Sequence, residues 1–238
     1  MNTTGSSIRP TANSATNVQG GKTFYAEDPL LLLADLCTKL RTLWMRATYP
    51  FARFGQGVSL HYSCDIRRSA ADRIQIGNSV YIAPQVWLNI PERGTAAAAA
   101  IIVDDGCKIG RRCMISAKNL VHLENDVLLG PSVLITDHSH QFLDLELPIH
   151  TQGLTPGGTV RIERNCWLGH GAAVVCTSGD LVVGRNSIVG ANAVLTSSVP
   201  PFSVVVGSPA RVVRRYDAKL ERWVKASEDL TPMLLQTF

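Results

Sequence analysis

The sequence predicts an all-β solenoid, a three-sided coil of very short parallel strands with a helix at its N-terminal end and a short helix at its C-terminal end. Three observations carry this. From Ile76 an aliphatic residue returns every six positions, first in Ile76-Gly77-Asn78-Ser79-Val80-Tyr81 and then in Ile82-Ala83-Pro84-Gln85-Val86-Trp87. The same template, an aliphatic lead, then Gly, Ala, Glu or Asp, two free positions and a small or β-branched residue, recurs at Leu123, Leu129, Leu168, Val183 and Val189. Looser copies begin at Val103, Ile109, Ile162 and Leu195, and their phase is kept wherever they adjoin a good copy. A hexad buries nothing alone, so three must form one turn and successive turns must share a core. The lead residue points inward, the small residue fits beside a corner, and the Gly, Asn and Asp between them suit the turn.

The elements follow in order along the 238 residues. Residues 1–22, rich in Ser, Thr, Asn and Gly, read as a mobile tail rather than a signal peptide. Within 23–54, Asp28-Pro29 reads as an N-cap with proline at the first helical position. Leu33, Leu36, Cys37, Leu40, Leu43, Trp44 and Ala47 then recur at three and four, the apolar face of a helix ending before Pro50. That face is expected to cover the open end of the first coil. The alternative is weak contact of helix 29–47 with a membrane surface, since Lys39, Arg41 and Arg46 lie among its apolar residues.

The coil itself is expected over residues 55–210. It is interrupted between Leu88 and Val103, where Pro91-Glu92-Arg93-Gly94 and a run of alanines leave one corner, and by a long excursion over 141–159. A structureless stretch of that length in a compact repeat is usually functional. Residues 211–238 form the closing segment, in which Asp217, Leu220, Trp223 and Val224 read as a short helix.

Composition narrows the function classes. The formal net charge is +4 and the basic residues are scattered rather than striped, so nucleic acid is not the expected partner. No apolar run reaches the length of a membrane span. Of the six cysteines, Cys107, Cys113 and Cys166 occupy the small-residue slot of a hexad, where a compact thiol is core filler. Reduced thiols in a cytoplasmic protein are expected, without disulfides.

Where the long excursion leaves the coil stands Thr136-Asp137-His138-Ser139-His140. A histidine takes and returns a proton near neutrality, so one at the junction of a rigid scaffold and a loop is a general-base candidate. The surrounding landmarks are Val133-Leu134-Ile135-Thr136-Asp137-His138, then the loop, then Asn165-Cys166-Trp167-Leu168-Gly169, and finally Gly207-Ser208-Pro209-Ala210-Arg211-Val212-Val213-Arg214. In this order they resemble the hexapeptide-repeat acyltransferases, and within them the sugar O-acetyltransferases that act on galactosides, maltose and exopolysaccharides.

The resemblance implies a left-handed parallel β-helix, a hand that hexad spacing alone does not give and that departs from the general crossover rule. It also implies acetyl-CoA as acyl donor, a sugar or glycan acceptor, no metal, and a homotrimer with each site between two subunits. On it His138 takes the catalytic position. Trp167, His170, Ala191, Thr196, Arg211 and Arg214 fall on cofactor positions, the two arginines facing the phosphates; Ser197 stands where the family has a lysine. Asp137, His140 and either Ser116 or Asn119 fall to the acceptor side, Asp137 being also a candidate for holding the second ring nitrogen of His138. The implied activity is O-acetylation of a sugar hydroxyl in surface-polysaccharide or glycolipid biosynthesis. The alternatives are N-acylation of an amino sugar, a γ-carbonic-anhydrase-like metal enzyme using His122, His138 and His140, and a non-catalytic solenoid scaffold.

Overall fold

The computed structural model describes residues 29–91 and 100–226. The tail 1–22, Asp28, most of the alanine-rich excursion and the last residues of the closing segment lie outside the described residues.

Three sheets form the sides of the coil, and in each the hydrogen-bonded neighbours come from successive turns. Sheet A holds Arg53–Phe54, Ile74–Ile76, Ile101–Val103, Leu120–Leu123, Gly157–Ile162 and Ser178–Val183. Sheet B begins with Ser59–Leu60, Tyr81–Ile82, Lys108–Ile109, Leu128–Leu129, Trp167–Leu168, Ile188–Val189 and Ser203–Val206. Sheet C holds Asp65–Ile66, Trp87–Asn89, Met114–Ser116, Leu134–Thr136, Ala173–Val175 and Val194–Leu195. Within the coil all pairing is parallel, and the register sets lead on lead, for example Ile82 beside Ile109 and Leu129 beside Leu168.

The hexad arithmetic explains the corners. Lead residues such as Ile76, Ile82, Ile109, Leu123, Leu129 and Val189 are buried in one continuous core, and so are the fifth residues Val80, Cys107, Val133, Cys166 and Ala193. The fourth residue of the hexad turns through the left-handed region in hexad after hexad, as at Ser79, Asp126, Asn165, Asn186 and Asn192. Asn and Asp tolerate that conformation better than most residues, which is why they recur there. The core cysteines donate Sγ–H to carbonyls of the next coil, Cys113 to Gly130 and Cys166 to Gly184. Burial pushes the Cys107 thiol up to about 12 and those of Cys113 and Cys166 up to about 11, so they are inert packing groups.

Two expectations about the ends are corrected. Helix α1, Pro29–Thr48, packs on the first coil, but with its polar side. Thr38, Thr42 and Met45 are buried, Thr42 Oγ1 donates to the Leu60 carbonyl and accepts from the Leu60 amide, and Arg41 donates to the Cys64 carbonyl. The end of a coil offers unpaired backbone, and hydroxyl and guanidinium groups satisfy it where leucines cannot. The leucine face is therefore exposed.

At the other end there is no helix among the described residues of the closing segment. Arg211–Asp217 and Arg222–Lys225 are antiparallel strands that extend sheet B beyond the last coil. Asp217 Oδ1 accepts from the amides of Lys219 and Leu220, a turn-forming carboxylate rather than a helix cap, and Tyr216 packs edge-on against Trp223 across the hairpin.

Candidate active site

Sheet C ends at Thr136, and the chain re-enters at Gly157 in sheet A, so the long excursion springs from the corner between these two sheets. His138 stands at its root, 9% exposed, and Asp137 beside it is fully buried. Adjacent residues rarely face each other, and here backbone of the preceding coil turns Asp137 inward. Its Oδ1 accepts from the Lys118 amide at 2.8 Å, and its Oδ2 accepts from the amides of Asn119 at 2.7 Å and Leu120 at 2.8 Å. The remaining position on Oδ1 takes His138 Nδ1 at 2.8 Å.

The electrostatics of this pair are clear in direction. Burial acts to raise the Asp137 pKa, but the His138 hydrogen bond and the three amides outweigh it and hold the carboxyl below the ordinary carboxylate value. Asp137 is thus an anion, and as an acceptor it keeps the proton on Nδ1. His138 Nε2 is then the unprotonated nitrogen, and it bonds to no described residue. A ring held at one nitrogen by a buried carboxylate and free at the other can accept a proton from a hydroxyl.

The loop root is braced from below. Asn119 Nδ2 donates to the carbonyls of Pro156 and Gly158, Lys118 Nζ donates to the Thr155 carbonyl, and the Gly158 amide donates to the Asp137 carbonyl at 2.7 Å. Gly157 has φ +80°, and a Cβ there would lie 2.8 Å from Asn119 Nδ2 and 2.9 Å from the Asp137 carbonyl oxygen. Only glycine closes the chain this tightly beneath the pair. Sequence reasoning missed Gly157 and the amides of residues 118–120; an X-Asp-His step at a coil corner is the signal that could have pointed to them.

The acceptor-side residues divide. Asp137 is corrected from a substrate contact to the group that orients His138, because all its acceptor sites are filled. Ser116 is 2% exposed and its Oγ accepts from Asn89 Nδ2, so it is part of the sheet stack rather than a ligand contact. Asn119 spends its amide group on the loop root, which corrects it likewise to a bracing residue. His140 is exposed, and its backbone bridges Leu154 across the loop.

The cofactor-side residues form a second group. His170 and Ala191 are exposed at the corner between sheets B and C on successive coils, and the Gly207–Ala210 turn continues that column. Thr196 lies exposed just past the last strand of sheet C, and Arg211 starts the strand that follows the turn. The outer face of sheet C therefore lies between the His138 corner and this column. Arg214 pairs with Val204 and Lys225 in the closing hairpin. Trp167 is not brought to either group. It is half-exposed on sheet B, lining an open cavity of about 410 Å³ with Asn165, Asn186, Ile188, Phe202, Tyr216 and Trp223. His122 lies on sheet A, its Nε2 2.8 Å from Asp104 Oδ2.

No family model matches the sequence. Curated relatives do. A Mycobacterium tuberculosis acetyltransferase, Rv3034c, is 27% identical over 166 residues, covering 67% of this chain and 48% of the relative. A protein of Escherichia coli named as the lipopolysaccharide biosynthesis O-acetyl transferase WbbJ is 27% identical over 132 residues, covering 53% of this chain and 66% of its own. The chain thus spans from about half to just under two thirds of the length of these relatives. Among solved structures, AntD, an N-acyltransferase from Bacillus cereus crystallised with dTDP and coenzyme A, superposes with a TM-score of 0.60 at 15% identity over 75% of this chain and 90% of that one. The hexapeptide-repeat acetyltransferase VCA0836 of Vibrio cholerae, complexed with acetyl coenzyme A, gives 0.51 at 20% identity over 83% and 94%. The class defined is a hexapeptide-repeat coil of the acyltransferase type. Within it, this chain is a relative of proteins named acetyltransferases.

Proposed function

We propose that the protein is an acetyl-CoA-dependent O-acetyltransferase of left-handed hand, acting on a sugar hydroxyl in surface-polysaccharide or glycolipid biosynthesis. The observation that carries this reading is the Asp137–His138 pair, with Nδ1 held at 2.8 Å and Nε2 open at the root of a long loop. His138 Nε2 takes the proton of the acceptor hydroxyl as its oxygen forms a bond to the thioester carbonyl; the C–S bond breaks and the coenzyme leaves as a thiol. Asp137 keeps the ring oriented and stabilises the imidazolium that forms. The relative named for lipopolysaccharide biosynthesis supports a glycan acceptor.

The acyl donor is read as lying along the outer face of sheet C, past His170, Ala191 and Thr196, with its phosphates toward Arg211 and Arg214. Between the His138 coil and the closing strand there are four strand steps, about 19 Å of stacking, which calls for an extended donor. Trp167 lies outside this path within one chain, so its part, if it touches the donor, is played for a neighbouring copy. A homotrimer with each site between two subunits meets that requirement. All six cysteines are free thiols, in keeping with a cytoplasmic setting.

The test is thiol release from acetyl-CoA with a panel of sugar acceptors. Wild type should turn over at least one hydroxyl acceptor, and His138→Ala should lower kcat roughly a hundredfold or more while His140→Ala does not. Turnover confined to amino sugars would move the reading to N-acylation, and a fully active His138→Ala would end it.

A further inference from the structure

Helix α1 turns its polar side to the protein and its apolar side outward. Leu32, Leu33, Leu36, Leu40, Leu43 and Trp44 share an arc of about 140° at 100° per residue. Each of the six is more than half exposed. The opposite arc, Thr38, Arg41, Thr42 and Met45, is the side packed on Leu60 and Cys64. The helix lies on the first coil and exposes a continuous row of leucines, a surface that marks an interaction site.

Charge selects the occupant. Lys39 and Arg46 border the leucine arc, both exposed and neither in an ion pair with a described residue. Asp35 is the one acid among the described residues of the helix, and its field acts on His61 of the first coil. A second copy seated symmetrically on this face would bring Lys39 and Arg46 toward their own equivalents with no acidic flank to receive them. A bilayer with anionic headgroups meets both features, hydrocarbon for the leucines and phosphates for the two cations. Trp44, apolar but with one N–H donor, suits the boundary between them. Among the described residues no helix is long and apolar enough to cross a membrane, which fits a helix lying in the plane.

We propose that α1 docks the protein onto the surface of a bilayer containing anionic lipid, its axis in the membrane plane and the coil behind it. The inference rests on the helix alone and is independent of the acyltransferase reading; with that reading it would bring the site to acceptors carried on lipid.

Cosedimentation of the full chain with vesicles of phosphatidylglycerol and phosphatidylcholine tests this. Wild type should pellet with the mixed vesicles and partition roughly tenfold or more weakly onto pure phosphatidylcholine, as two surface cations imply. The double variant Leu36→Glu/Leu40→Glu should stay in the supernatant with an unchanged circular dichroism spectrum, both positions being exposed. Lys39→Glu/Arg46→Glu should lose the preference for anionic vesicles. Failure of wild type to pellet would overturn the proposal, as would unchanged binding in both variants. A Leu36→Glu/Leu40→Glu protein that lost assembly mass in light scattering but still bound vesicles would assign the face to a second copy instead.

Discussion

Asp137 Oδ1 and His138 Nδ1, on consecutive residues, are 2.8 Å apart although they belong to one turn of chain. The amides that hold the carboxylate come from residues 118–120, one coil earlier, so the coil stacking itself points the histidine.

Asp137→Asn follows directly from this arrangement. Whichever way the new amide is turned, its NH2 meets backbone N–H groups, those of Asn119 and Leu120 or that of Lys118 beside His138. One buried donor is left without an acceptor, a loss of about 1–3 kcal/mol in stability. If NH2 lies against Nδ1, the ring shifts its proton to Nε2 and the base is lost. We expect lower urea resistance together with a fall in kcat of roughly a hundredfold, KM for acetyl-CoA changing little. A variant with normal kcat would show that the carboxylate only holds the backbone.

The same carboxylate predicts an acid limit. Its folded pKa lies below the ordinary value, so the stability it contributes is present above the unfolded pKa of about 3.9 and is lost as pH falls through the lower folded value. Thermal unfolding should be insensitive to this group from pH 5 to 7, ranges set by the same reference value. Below about pH 4 the wild-type midpoint should fall more steeply than that of Asp137→Asn. Parallel curves for the two proteins would remove Asp137 from the acid transition.

Much of the coil was legible because its period is short and each lead residue is read independently. Ile82, Ile109, Leu129 and Leu168 announce their inward direction locally, and stacking follows. What sequence did not reveal depends on partners distant along the chain. The leucine row of α1 defines an apolar face, yet periodicity is silent on what covers it, and the hydroxyl of Thr42 decided the matter by matching Leu60. Leu220, Trp223 and Val224 have helical spacing, but Trp223 pairs with Tyr216 across a turn made by Asp217. At the site, His138 was visible as a type of residue in a type of place; the filling of Asp137 by the amides of residues 118–120 was not, since it exists only once two coils are stacked.

Assembly gives another expectation. Trp167 on sheet B and His138 at the corner of sheets C and A face different directions on one chain. If both serve one site, two copies must meet, and light scattering should give three times the mass of the chain. A monomer with full activity would leave Trp167 outside the site.

The closing segment should recognise the donor through charge. Arg211 and Arg214 are exposed, and Arg214 stands opposite Lys225 in the terminal hairpin, where no acid among the described residues neutralises them. A guanidinium binds phosphate oxygens with paired hydrogen bonds. Phosphates lie far from the reacting carbon, so their contacts are equal in ground and transition states, and Arg211→Ala or Arg214→Ala should raise KM for acetyl-CoA with little change in kcat. The increase should shrink as salt is added, since exposed charges are screened. Ser197 follows Thr196 on the exposed edge of sheet C, and Ser197→Lys adds a cation on the same donor path. It should lower the acetyl-CoA KM, and more so in Arg214→Ala than in wild type, because one cation then substitutes for another. Unchanged KM in both arginine variants would place the phosphates elsewhere and leave the closing strands a cover for the last coil.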